Sequence, residues 1–569
     1  MPSSLPPFLI FFLGALVVPL LSRVPRVRML WLVLIPIVGA LNAMGIQEGY
    51  ELQYELLGYT LTLVRADRLA IMFGHLFHLG AFIAIVYSLH LKKGDHATVQ
   101  HTSAVVYAGS AIGAVFAGDF ITLFVFWELL AVSSVFLIWT RRSPRAVSAG
   151  MRYLLVHIVS GVTLLAGAMV HAHNTGSLDF GFMGLEGLAG WLVLLGFGVK
   201  AAFPLLHSWL IDAYPEGTPT GTVFLSAFTT KVAVYALARG YAGTDALIYI
   251  GAVMACFPIF YAVIENDLRR TLGYSMINQI GFMVCGIGVG THLAINGAVS
   301  HAFNDVLFKG LLFMSMGAVM HMTGKTKASD LGGLYKTMPW TATLCIVGAL
   351  SISAVPLFNA FVSKSMIMSA LLEEHFNWIW PVMLFASAGV VEHAGIKIPF
   401  FAFFAHDSGI RTREPPWNML AAMGVGAVAC LAIGVWPELL YGILPHAVDY
   451  EPYTASHILT QLQLLAFAIG AVAAFHLWKI YPAEIPSVNL DADWVYRRAA
   501  ARVVRFTGGA VGAADAAFRS TVVGTVRGVL RGAFRAHGPR GILARTWPAG
   551  SMVLWVSIIL AAFLLLEFL

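Results

Sequence analysis

Apolar residues in this chain come in long continuous runs rather than in alternation with polar ones. The runs approach the length at which a helix rising 1.5 Å per residue crosses a hydrocarbon core of about 30 Å. A half-buried strand would alternate, so the runs predict helices. About sixteen of them follow one another, from Phe8–Ser22 to Pro548–Phe568. Two of the longer ones, Leu188–Leu210 and Met338–Leu371, carry Pro204 and Pro356 in their interiors. A proline there has no N–H to donate and clashes with the preceding turn, so both helices should bend or break.

Composition agrees with a lipid solvent. Charged residues make up only 11% of the 569 positions and hydrophobic residues 59%, with mean hydropathy +0.79. Soluble domains carry about 25% charged residues. In lipid, only helices and closed barrels satisfy the backbone internally. Cys256, Cys285, Cys345 and Cys430 lie inside apolar runs with no CxxC spacing, which points to no metal, no redox cofactor and no disulfide framework. The basic residues sit at run ends, so nucleic acid is not an expected partner. Phe8–Ser22 lacks a charged n-region and a small-residue cleavage site, and reads as a retained first helix.

Charge then orients the runs. Loops after odd-numbered runs hold Arg23, Arg26 and Arg28; Lys92 and Lys93; Arg141, Arg142 and Arg145; Arg269 and Arg270; and Lys325, Lys327 and Lys336. The alternate loops hold Glu48, Glu51, Glu55, Asp179, Glu186, Glu373, Glu374, Asp449 and Glu451. Positive loops face the cytoplasm, so both termini are expected on the outer side of a cell inner (plasma) membrane. Asp212 and Glu216 make the loop after the seventh run the weak member of the series. Near the end, 482–547 is basic and rich in Ala, Val and Gly. Arg498, Arg502 and Arg505 recur at helical spacing with Val495, Ala499 and Val503 interleaved. This predicts an amphipathic helix lying in the interface, interrupted at Gly508, Gly509 and Gly512.

Charges inside the runs carry the chemistry. Each costs roughly 2.5–3.5 kcal/mol at mid-bilayer on insertion scales, so such residues face a bundle interior or water and serve a purpose. Glu128 sits in FVFWELL, Lys200 in GFGVKAAFPLLHSW, Lys231 in AFTTKVAVY and Lys364 in NAFVSKSM. His301, Asp305 and Lys309 are spaced by four and share one helix face. Glu392 and Lys397 fall together in VEHAGIKIPFF, next to Pro399, and could form a structural pair. Burial lowers a lysine's proton affinity and a nearby carboxylate raises it. A row of such groups can therefore hand protons along through water, with no nucleophile and no redox centre.

Taken together, FVFWELL, GFGVKAAFPLLHSWLIDAYPEGTPT, LSAFTTKVAVYALAR, ENDLRRTLGYSMINQIGFM, HAFNDVLFKGLLFM and SAVPLFNAFVSKSM resemble, in order, the antiporter-like ion-translocating subunits shared by respiratory complex I, Mrp Na+/H+ antiporters and membrane-bound hydrogenases. FNAFVSKSM and AGIKIPFFAFF look most like the D-type Mrp antiporter subunits. The C-terminal stretch resembles instead the lateral-helix extension of the largest complex I antiporter-like subunit.

The resemblance implies about sixteen transmembrane helices with two inverted five-helix repeats, a broken helix in each, and a C-terminal lateral helix. It divides the chain into N-terminal helices (1–100), a first repeat (101–240), a second repeat (241–406), further helices (407–481), the lateral segment (482–547) and a final helix (548–569). It implies an order of proton carriers, Glu128, Lys200, Lys231, Lys309 and Lys364. It also implies partner membrane subunits, and Na+ beside protons as the transported ion. Asp305 departs from the family, many of whose members have histidine there. A cation/proton antiporter, a proton-pumping redox complex and a proton-coupled inorganic carbon system would all use such a path.

Overall fold

The computed structural model describes residues 5–56, 58–92, 94, 96–485 and 489–568; Lys93 therefore lies outside the described residues. The chain forms two compact units, Met1–Asp491 and Ala492–Leu569.

The first unit opens with α1 (Pro7–Leu20) and α2 (Pro25–Met44), then β1 (Tyr50–Leu56) and β2 (Tyr59–Ala66), then α3 (Arg68–Ser88). The two strands pair antiparallel, from Tyr50 opposite Ala66 to Leu56 opposite Tyr59. This hairpin departs from the all-helical expectation. Polar and apolar residues alternate over YELQYEL and YTLTLVRA, a period of two too short to register among helical runs. Arg65 fastens the hairpin, donating to Phe180 O at 3.1 Å and pairing with Glu51 and Asp179.

Two sets of helices follow in a repeated pattern. The first set is α4 (Ala97–Phe116), α5 (Phe120–Trp139), α6 (Pro144–Thr175), a broken helix α7 (Gly187–Lys200) and α8 (Ser208–Ala213), then α9 (Gly221–Ala227) and α10 (Thr229–Gly240). The second is α11 (Asp245–Ile264), α12 (Leu268–Val289), α13 (His292–Thr323), a broken helix α14 (Pro339–Ile352) and α15 (Asn359–Glu373), then α16 (Ile379–Val390). The last continues through a π turn, α17 (Lys397–Pro399) and a second π turn to Phe404. Both sets use the same local devices. Asp119 caps α5 and Asp267 caps α12, each accepting first-turn N–H groups. Both residues also sit in isolated bridges, to Asp179 and Lys327. The 32-residue helices α6 and α13 end on Gly176 and Gly324 with φ of 72° and 71°, the left-handed C-cap geometry that glycine adopts without penalty.

The breaks match as closely. Ala202-Phe-Pro-Leu205 and Ala354-Val-Pro-Leu357 share one sequence pattern. In each, alanine and leucine have positive φ: 61° and 69° in the first, 56° and 76° in the second. Such backbone costs an L-residue roughly 1–2 kcal/mol, so surrounding packing must hold it. The run over Thr218–Arg239 has an interruption the prolines did not announce, at Phe228 between α9 and α10.

All sixteen runs are helical, and twelve helices among the described residues are long and apolar enough to cross a membrane. The other four runs are α1, the polar-flecked α4, and the two broken helices. The first unit closes with α18 (Trp417–Val435), α19 (Glu438–Tyr441) and α20 (Ala455–Leu477). The second unit contains α21 (Ala501–His537) and the apolar α22 (Ala549–Phe568). Gly508, Gly509 and Gly512 lie inside α21, which is continuous across them. The expected interruption falls earlier, in a π turn at Val495–Ala500. Isolated glycines weaken a helix by about 1 kcal/mol each without breaking it.

Candidate functional site

Titratable side chains inside the helices lie beside the two breaks and along α13. Lys200 is the last residue of α7, directly before the break. Its ammonium donates to Trp127 O on α5 and lies 4.4 Å over the Trp127 ring, a cation–π contact strengthened by desolvation. The indole is itself fixed, donating to Ser160 Oγ at 3.0 Å, while Ser160 donates to Gly196 O at 2.7 Å. Glu128 is the next residue along α5. Its Oε1 is buried without a hydrogen-bond partner and rests on Gly161 of α6, where a Cβ would overlap it. Thus α5 presents a carboxylate and α7 an ammonium, with α6 contracted to glycine to admit the former.

Lys231 stands three residues past the Phe228 interruption. It pairs with Asp305 of α13 at 2.5 Å, both side chains being 0% exposed, and donates to the free carbonyl of Ser226 at 3.0 Å. Lys309, one turn further along α13, donates to Ser275 Oγ on α12 at 2.7 Å. One turn the other way, His301 bonds Gln279 Oε1 at 3.0 Å and Ser363 Oγ at 2.9 Å. Ser363 precedes Lys364 on α15. The predicted stripe thus shares one helix but faces three neighbours: α10 through Asp305, α12 through Lys309 and His301, and α15 through His301.

Lys364 donates to Ile352 O at 3.5 Å, the last carbonyl of α14 before the second break, and lies 4.8 Å over Phe282. It also lines a cavity of about 210 Å³ with Ser365, Ser369, Ser387, His457 and Gln461. Of the four lysines so far described it is the one with measurable exposure, 3% against 0% for Lys200, Lys231 and Lys309.

Glu392 and Lys397 do not pair with each other. The segment after α20 supplies both partners. Lys397 pairs with Glu484 at 2.7 Å and donates to Val263 O at 2.6 Å. Tyr481 donates to Glu392 Oε1 at 2.5 Å. Burial raises the Glu484 carboxyl above the usual carboxylate range, and Lys397 opposes that rise. The acidic loop after the seventh run is explained in the same way: Glu216 pairs with Arg141 at 3.2 Å and Asp212 with Arg152 at 2.6 Å, so its charge is neutralised by the basic side.

Several further polar residues were not singled out in the sequence. His157 of α6 is fully buried, with neither ring nitrogen hydrogen-bonded, between Tyr153 at 4.2 Å and Trp209 at 4.4 Å. Tyr153 shares a hydrogen bond with Ser134 at 2.7 Å. Thr229, at the start of α10, meets Tyr107 at 2.6 Å and Tyr153 at 3.5 Å. These hydroxyls join α4, α5 and α6 to the half-helix that bears Lys231. His207, just past the first break, meets Asp491 at 3.0 Å, and Tyr274 donates to the same carboxylate at 2.8 Å. His157 was findable as a titratable residue inside an apolar run. The hydroxyls were not, because serine, threonine and tyrosine are common in helices of any role.

Comparison with known proteins gives one family and consistent relatives. Residues 117–389 match the family described as NADH:quinone oxidoreductase/Mrp antiporter, transmembrane. The A/B component of a probable K(+)/H(+) antiporter from Rhizobium meliloti is 29% identical over 416 residues, 68% of this chain and 42% of that protein. The D component of a Na(+)/H(+) antiporter from Alkalihalophilus pseudofirmus is 30% identical over 314 residues, 51% of this chain and 63% of that one. The chain thus spans about half the length of the curated relatives it matches. Among solved structures, a chain of the Mrp complex from Dietzia sp. DQ12-45-1b superposes with a TM-score of 0.69 at 20% identity, covering 82% of this chain and 100% of that one; this likeness shows the fold.

Proposed function

We propose that this chain, whose residues 117–389 match the NADH:quinone oxidoreductase/Mrp antiporter membrane family, is the proton-translocating subunit of a multisubunit monovalent cation/proton antiporter. The supporting observation is the buried row itself. Glu128, Lys200, Lys231 with Asp305, His301, Lys309 and Lys364 follow one another across α5, α7, α10, α13 and α15, with hydroxyls and amides between them. Buried charges of this number weaken a purely structural core, because each loses hydration that a single partner seldom restores. A transport role accounts for their retention.

In this reading the two strained breaks free backbone carbonyls beside the lysines, as interrupted helices do where they line water. Protons enter near Glu128 and Lys200, pass Lys231 and the α13 stripe, and leave past Lys364 into its cavity. The Glu392 and Lys397 pairs with Tyr481 and Glu484 form a side branch on α16 and α17. The basic loops are cytoplasmic, the chain resides in the plasma membrane, and Na+ is carried with the help of neighbouring subunits.

The test is purification of the intact assembly followed by reconstitution in proton-tight vesicles. A monovalent-cation gradient should drive proton movement, and the copurifying subunits should be membrane proteins without flavin or iron–sulfur centres. Copurification with such redox proteins, and no cation-driven proton movement, would replace the antiporter with a proton-pumping redox complex.

A further inference from the structure

At one end of the bundle, away from the lysine row, lies a cavity of about 970 Å³. That volume suits a headgroup-sized ligand. Its walls carry Arg23, Arg28 and Lys92 beside His90, and no carboxylate among the described residues. The first-turn residues of three helices also line it: Arg28 of α2, Thr98 of α4, and Trp417 and Asn418 of α18. Among the described residues, none of those three helices has a side-chain cap at its N-terminus. Their orphan N–H groups and the positive ends of their dipoles therefore converge on one space.

Arg28 adds a buried charge to this wall. It is 5% exposed, yet its Nε has no hydrogen-bond partner. Among the described residues its one side-chain bond is a 3.3 Å donation to Thr98 Oγ1. A guanidinium buried to this degree without an anion is costly, because its charge is desolvated and its Nε donor is unused. Oxygen atoms of a phosphate would meet that donor in the bidentate geometry guanidinium favours. Trp417 at the rim is 79% exposed, as tryptophans are where a helix meets the headgroup layer.

We propose that this cavity binds the phosphate of an anionic phospholipid headgroup, held by Arg28, Arg23 and the first turns of α2, α4 and α18. Lipid is favoured over free phosphate because the cavity opens among the ends of membrane helices with an exposed tryptophan beside it. Basic pockets between transmembrane helices commonly hold such headgroups. The site is separate from the proton row and stands whether or not that row conducts.

The test uses the purified full-length chain in detergent, delipidated and then titrated with phosphatidylglycerol, phosphatidylcholine or inorganic phosphate. Native mass spectrometry reads bound lipid. Phosphatidylglycerol should bind saturably and phosphatidylcholine should not. Arg28→Gln should weaken phosphatidylglycerol binding about tenfold, the scale of one lost charge-assisted contact. Arg23→Gln, on the turn outside the helices, should weaken it several-fold and serves if Arg28→Gln does not fold. Unchanged binding in the variants, equal binding of phosphatidylcholine, or displacement of the lipid by millimolar inorganic phosphate would overturn the proposal. So would a wild-type cavity without lipid in which Arg28 cross-links to an acidic segment of a neighbouring membrane protein.

Discussion

Helices α6 and α13 occupy the same place in the two repeats, have the same length and end on the same left-handed glycine, yet their central faces differ. Tyr153, His157 and Gly161 of α6 lie at one constant offset along the chain from His301, Asp305 and Lys309 of α13. In the second repeat the central helix bears the charges, and its neighbours answer with Lys231, Ser275 and Gln279. In the first repeat the neighbours bear them, as Glu128 and Lys200, and α6 makes room with Gly161. One backbone plan thus positions ionisable groups in two ways. Where the central helix is charged, its partners must compensate. Where it is bare, it must be small.

Asp305→Asn strikes the second repeat most directly. It leaves the Lys231 ammonium fully buried without a counter-ion, a change that costs roughly 3–5 kcal/mol when one partner of a buried pair is removed. Thermal unfolding in detergent should show a large drop in midpoint. An unchanged midpoint would mean that water or another carboxylate, not Asp305, balances Lys231.

Gly161→Ala probes the first repeat by the opposite route. Alanine improves helix propensity by about 1 kcal/mol, but its Cβ takes the space of the Glu128 carboxyl. Stability should change little while cation-driven proton movement falls on the order of tenfold, or ~1.4 kcal/mol in the barrier. Transport at the wild-type rate would show that the position of Glu128 does not matter.

The smallest effect concerns what the two repeats share. Leu205 and Leu357 hold positive φ and are largely exposed on their outer faces, at 75% and 56%. Replacing either with glycine should relieve about 1 kcal/mol of backbone strain. The two variants should raise the unfolding midpoint alike, as paired thermal scans can check. A gain at one site alone would show that the breaks are not mechanically equivalent.

Much of this was legible from the residues. Continuous apolar runs located the membrane helices, because burial in lipid leaves the composition of a span little freedom. Pro204 and Pro356 announced the two breaks through the missing N–H. Lysines inside apolar runs stood out because hydrocarbon tolerates them so poorly. The rest depended on tertiary placement. Phe228 interrupts a helix with no proline or glycine beside it. Asp305 could be assigned to a stripe but not to Lys231, which lies on another helix. Closeness in sequence matched Lys397 to Glu392, whereas Glu484 reaches it after a whole further helix and loop. Gly161 looked like any helical glycine until the Glu128 carboxyl was found against it.

If one buried row serves both repeats, as we propose, Lys200 at its start and Lys364 at its cavity end are needed together. The direct measurement is cation-driven proton movement in vesicles containing the intact assembly with Lys200→Ala or Lys364→Ala, alongside the protein composition of each preparation. Either substitution alone should abolish movement while every component still copurifies. Wild-type movement in either fully assembled variant would contradict the proposal.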